Sequence, residues 1–178
     1  VVPAKRVVAF DEQLGDEGAL LALAATAYHA LRPCGAALPE CIVGHGVLGR
    51  LLARLTVVLG GAPPVVWESN PDRAKGAAGY TVVDAKSDTR RDYRVICDVS
   101  GDSALLDTLI AHLAPGGEII LAGFYSAPLS FVFPPAFMRE ARIRVAAEWR
   151  HDDLVAVRDL VDAGRLSLDG LITHRNSA

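Results

Sequence analysis

The chain has 178 residues, a formal net charge of −3 and a hydrophobic content of 51%, which is ample apolar material for one buried core. So small a charge gives no electrostatic footprint for nucleic acid or an anionic membrane surface, and Arg90-Arg91 reads as loop charge. No apolar run approaches the roughly 20 residues of a membrane span, and the N-terminus has no signal-peptide pattern, so a cytoplasmic location is expected.

Residues 1–17 read as a polar, irregular segment. The Ala- and Leu-rich stretch 18–31 predicts a helix stopped by Pro33. A short apolar strand at 40–44 leads into a helix over 47–59, with apolar residues at 47, 48, 51, 52, 55 and 58. A second strand at 64–68 is followed by a helix from Pro71, a favourable first-turn residue. Residues 81–83 predict a third strand and 94–99 a fourth. Ser100-Gly101-Asp102 then caps a helix over 103–113, and Pro115-Gly116-Gly117 turns into a fifth strand at 118–122, ended by Gly123. Leu129, Phe131 and Phe133 alternate with Ser130 and Val132, the pattern of a partly exposed strand with one apolar face. A sixth strand at 143–147 and a helix over 152–163 close the series, and 176–178 is a tail. Strands alternating with helices imply right-handed βαβ units. The expected fold class is α/β, a doubly wound, Rossmann-type, mostly parallel six-stranded sheet with helices on both faces. Its ligand crevice should lie at the carboxyl ends of the strands.

The chemistry concentrates where the first strand meets its helix. Gly44, Gly46 and Gly49, with His45, Val47 and Leu48 between them, stand at G-x-G-x-x-G spacing. Such a turn needs Gly44 for the tight reversal, Gly46 for close backbone approach to a pyrophosphate and Gly49 for helix–strand packing. Phosphate would sit on the N–H groups of the helix starting near Val47. The alternative is a glycine turn with no ligand. Glu68, nineteen positions after the last glycine, ends the second strand, where a carboxylate can bind ribose hydroxyls and repel a 2′-phosphate; this favours NAD over NADP. Glu68 could equally be a surface strand-end residue, and Arg73 either lies beside the ribose or is solvated. His45, inside the motif, reads as a contact to a phosphate or to a catalytic-domain group or, better, as a solvated imidazole. His112, His151 and His174 read as surface or element-end residues. Asp98 is either a site carboxylate or a backbone cap. No Ser-His-Asp or His-Glu cluster assembles from spacing, so catalytic residues are unknown and hydrolysis has no support. Cys34, Cys41 and Cys97 lack ligand spacing, so buried thiols and no metal are expected.

Ala24-Ala25-Thr26-Ala27-Tyr28-His29-Ala30-Leu31, the GHGVLG turn, Glu68, ICDVSG, LAPGGEIILAGF and LITHR together resemble the nucleotide-binding half of the medium-chain dehydrogenases/reductases, over 18–175. That resemblance implies NAD as cofactor, with Thr26 near the nicotinamide. It also places Ser100 and Gly101 on the adenosine side, and Gly123, Phe124 and Tyr125 beside the nicotinamide ribose and ring. Each has a structural alternative: Thr26 bonding its own helix, Ser100 as a cap and Gly123 as a strand terminator. The run 95–149 is most similar to members that oxidise the 3-(1-hydroxyethyl) group of a bacteriochlorophyllide, a tetrapyrrole, to 3-acetyl. The family carries a GroES-like catalytic domain that is absent from this sequence, so the chain reads as a cofactor-binding fragment. Phe131, Phe133 and Phe137 then serve either a homodimer contact, the preferred reading, or a wall against the macrocycle. Another alcohol or polyol dehydrogenase, a non-catalytic NAD-sensing module and, less well fitted, an S-adenosylmethionine methyltransferase are the other readings.

Overall fold

A computed structural model describes Pro3, residues 7–32 and residues 37–172. The expected stop at Pro33, Cys34, His174 and most of LITHR fall outside these. Six strands, β1 (Cys41–Val43), β2 (Val65–Trp67), β3 (Thr81–Val83), β4 (Tyr93–Asp98), β5 (Leu113–Leu121) and β6 (Arg142–Val145), form one sheet in the order β3-β2-β1-β4-β5-β6. Every pairing is parallel, so the doubly wound expectation holds and the sheet is wholly rather than mostly parallel. The winding reverses between β1 and β4, the position where this architecture opens a crevice.

Period-two alternation divides the core between the two faces. Ile42, Val66, Cys97 and Ile120 pack with α1 (Leu21–Leu31), α2 (Val47–Val58) and α5 (His151–Asp162). Cys41, Val43, Trp67, Ile96, Ile119 and Leu121 pack with α3 (Leu106–His112) and with Ala136 of α4 (Phe133–Met138). Cys41 and Cys97 are buried free thiols, as expected. Among the described residues, no helix is long and apolar enough to cross a membrane.

Four expectations give way. Part of the supposedly irregular start, Glu12–Leu20, is 3-10 helical, capped by Asp11 and broken at Gly15, so that α1 begins only at Leu21. The helix expected from Pro71 is one turn, closed by Ala74 N–H on the Asn70 carbonyl at 3.0 Å. The turn ends where Gly76 takes a left-handed φ of 78°, and Arg50 holds the Arg73 and Lys75 carbonyl oxygens around it. The strand expected over 129–133 is an extended segment entering α4. Pro134 and Pro135 have no N–H for a ladder but suit a first helical turn, and the Val132 N–H is held by Asp107 Oδ1 at 2.7 Å. Finally, β5 starts at Leu113, shortening α3, and passes through an irregularity in its pairing with β4 before Glu118.

Candidate cofactor cleft

The glycine turn leaves β1 at Gly44, whose φ of 102° belongs to the region glycine occupies without strain. A Cβ on Gly49 would stand 1.9 Å from the Gly44 carbonyl oxygen, so this glycine lets α2 lie against the strand end. Gly46 differs: it is the N-cap of α2, no side chain caps the helix, and a Cβ there would meet nothing within 4 Å. The first N–H groups of α2 have no intrahelical acceptors. Uncapped donors at the positive end of a helix, with open space above them, suit an anionic group.

A cleft of about 670 Å³ opens at this turn, within the range of small-molecule and cofactor sites. It gathers Gly44, His45, Gly46, Glu68, Arg73 and Ser100 from the sequence-predicted set. Val47 and Leu48 pack partly buried on the first core. Glu68 accepts from the His45 N–H at 3.1 Å and the Asn70 N–H at 2.8 Å, with Arg73 Nε 3.6 Å away. With both oxygens already bonded and its side chain only 6% exposed, the carboxylate presents a narrow acceptor face to the cleft. An acceptor at the tip of β2 thus stands beside the uncapped N–H donors of the glycine turn.

The solvated imidazole expected at His45 is overturned. Its side chain is buried, with Nδ1 2.6 Å from the Arg73 carbonyl oxygen and Nε2 2.8 Å from the Tyr80 hydroxyl. A carbonyl only accepts, so Nδ1 carries the proton and Nε2 accepts from Tyr80. Burial holds the imidazole below its ordinary pKa, assisted by Arg50. His112 is an element-end residue, as expected, but buried rather than on the surface. Arg91 donates to its Nδ1 at 3.0 Å, and Trp67 meets the ring edge-on, centroids 4.7 Å apart.

At the end of β4, Asp98 is buried and accepts from the Ser100 N–H at 2.9 Å and the Tyr125 hydroxyl at 2.8 Å. Burial nonetheless pushes its carboxyl above the usual aspartate range. Asp98 is thus a clamp on two loops, and the Tyr125 hydroxyl points to it. Gly123 N–H bonds the Asp98 carbonyl at 3.1 Å, and a Cβ on Gly101 would come within 3.0 Å of the Phe124 oxygen. The loops after β4 and β5 therefore touch at the crevice, leaving Phe124 93% exposed. Ser100 Oγ accepts from the Asp102 N–H at 3.1 Å, a local turn rather than the expected helix cap, because α3 starts only at Leu106 and has no side-chain cap. Thr26 Oγ1 donates to the Ala22 carbonyl at 3.1 Å, its helix alternative, and does not line the cleft.

Asp84, Lys86, Arg91, Thr108 and His112 also line the cleft and were not foreseen. The first two follow β3, where strand order alone could have found them. Arg91 and His112 arrive from the β3–β4 connection and the end of α3, and no local pattern marks them. The aromatic residues Phe131, Phe133 and Phe137 line a different hollow, of about 520 Å³, with Met138 and Ile143 against edge strand β6. It shares no residue with the cleft, so these rings do not wall the crevice.

No family model matches the chain. It is 59% identical over all of its 178 residues to the 2-desacetyl-2-hydroxyethyl bacteriochlorophyllide A dehydrogenase of Rhodobacter capsulatus, and spans 57% of that protein's length. In fold it is similar to galactitol-1-phosphate dehydrogenase from Escherichia coli, with a TM-score of 0.81 at 18% identity, covering 97% of this chain and 57% of that one. It is also similar to an Escherichia coli alcohol dehydrogenase complexed with NADH, with a TM-score of 0.78 at 18% identity, over 94% of this chain and 54% of that one. The resemblance to dehydrogenases thus extends over nearly the whole chain.

Proposed function

We propose that this chain is the NAD-binding part of a medium-chain dehydrogenase that oxidises the hydroxyethyl side chain of a bacteriochlorophyllide to acetyl. The single observation behind the substrate is the 59% identity, over every residue, to an enzyme named for that pigment. Support for the cofactor comes from the cleft. The α2 start at Gly46 would hold the pyrophosphate and Glu68 the adenosine ribose, with Arg73, Ser100 and Gly101 on that adenosine side, while Gly123 to Tyr125 would flank the nicotinamide side. NAD, when bound, accepts the hydride; these residues bind and orient it. The substrate-binding and proton-handling groups belong to a GroES-like domain outside these residues, and the cofactor domain spans 18–175.

The test uses a longer protein carrying this domain, NAD and the hydroxyethyl pigment. Turnover should give NADH absorbance together with a red shift as a carbonyl joins the macrocycle's conjugation. Brisk oxidation of a polyol with no pigment turnover would overturn the substrate. For the cofactor, NAD should bind at least about tenfold better than NADP, and Glu68→Ser should narrow that gap by removing repulsion of the 2′-phosphate. Equal affinities in the unmutated chain would overturn the role of Glu68.

A homodimer is the second part of this reading. β6 closes one edge of the sheet with Val145 74% and neighbouring Met138 77% exposed. An open edge beside an apolar hollow favours pairing with a second copy over solvent.

A further inference from the structure

We propose that His45 is a positioning residue for cofactor choice: its Nδ1–H···O=C bond to Arg73 and its Nε2 bond from Tyr80 fix the Glu68–Arg73 loop in the arrangement that prefers NAD to NADP. The inference rests on the cofactor reading above. Three segments of the cleft meet on this one residue. Its backbone N–H holds Glu68 Oε2 at 3.1 Å, its Nδ1 holds the Arg73 carbonyl at 2.6 Å, and its Nε2 takes the Tyr80 hydroxyl at 2.8 Å at the start of β3. Arg50 reinforces the same point, donating to the carbonyls of His45, Arg73 and Lys75 at 3.2, 3.3 and 2.7 Å.

The consequence is directional. The backbone of Arg73 is pinned from two sides, whereas its guanidinium is exposed and only loosely paired with Glu68. The pinned backbone sets the point from which the Arg73 side chain leaves the loop, beside Glu68, and so fixes the placement of carboxylate and cation relative to each other at the tip of β2. Releasing the Arg73 carbonyl would let the loop re-seat its arginine, which is the residue type that accommodates NADP. The imidazole suits this task because one ring supplies a donor and an acceptor about 2 Å apart, aimed at two different segments.

Calorimetric titration of the 178-residue chain with NAD and with NADP tests the assignment, alongside melting temperatures. His45→Leu should weaken NAD roughly tenfold while leaving NADP affinity level or higher, so that the ratio narrows. His45→Asn, which keeps a donor near the Nδ1 position, should restore part of the ratio. Tyr80→Phe should shift it in the same direction by a smaller factor. Should His45→Leu fail to fold, the other two variants carry the test. A purely structural histidine would lower the melting temperature and leave the NAD:NADP ratio unchanged in every folded variant, and that result overturns the proposal. Absence of NAD binding by the unmutated chain would instead overturn the cofactor reading and this proposal with it.

Discussion

At the scale of single residues, the three glycines of one motif are required for different reasons, and the difference is measurable. Gly49→Ala puts a methyl 1.9 Å from the Gly44 oxygen, which neither backbone can yield without moving α2. It should cost on the order of 2–3 kcal/mol of stability, read by denaturant titration, and NAD binding should fall with it. A Cβ at Gly46 meets no heavy atom within 4 Å, and φ −71°, ψ −174° is extended backbone open to any side chain, valine included. The stability of Gly46→Val should stay within about 0.5 kcal/mol of the parent, while calorimetry should find NAD binding abolished, because the isopropyl group occupies the space above the helix start. Near wild-type affinity in Gly46→Val would remove the pyrophosphate from this turn.

At the scale of elements, the helices covering one face are joined by a buried carboxylate. Asp153, at the start of α5, is fully buried and accepts from Arg32 at 2.6 Å, His29 Nδ1 at 2.8 Å and the Arg150 N–H at 2.8 Å. Burial by itself would raise its pKa; the Arg32 bond, the Arg150 N–H and His29 outweigh this and hold the carboxyl below its ordinary 3.8. A folded-state pKa below the unfolded one adds stability that is complete above the unfolded value and is lost as pH falls through the folded value. Asp153→Asn should therefore cost on the order of 2–3 kcal/mol at neutral pH, and the gap from the parent should close on acidification below about pH 4. A gap independent of pH in thermal melts would assign the loss to packing instead of charge. The same joint explains why α1, apolar nearly all round, stays in place between α2 and α5.

At the scale of the whole molecule, an open sheet edge and deeply buried thiols set two expectations. If β6 pairs with a second copy, Val145→Asp should give monomers in sedimentation velocity with NAD affinity intact, since β6 lies at the sheet edge and the glycine turn at its centre. A monomeric parent would overturn the dimer. Cys97 is fully buried, and burial pushes its thiol up to about 12; Cys41 is likewise raised by burial. Both should resist a thiol reagent in the folded chain and react on unfolding. Rapid labelling of Cys97 under native conditions would show that the sheet opens between its two helical layers.

Much was legible without coordinates, because it depends on periodicity and short-range sterics. The six strands, the helices over α1, α2 and α5, the reversal after the third strand and the glycine turn all follow from apolar spacing, from residues that only a turn tolerates, and from the handedness of parallel crossovers. Tertiary contacts decided the rest. The turn after Pro71 stays short where Gly76 turns left-handed and Arg50, remote in sequence, holds the Arg73 and Lys75 carbonyls in place. His45 is buried rather than solvated because Tyr80 and the Arg73 carbonyl satisfy both of its nitrogens. Phe131 and its neighbours face the sheet edge rather than the cleft because two prolines and Asp107 turn that segment into α4. Each outcome depends on a partner more than twenty residues away or on where the sheet ends, neither of which spacing along the chain encodes.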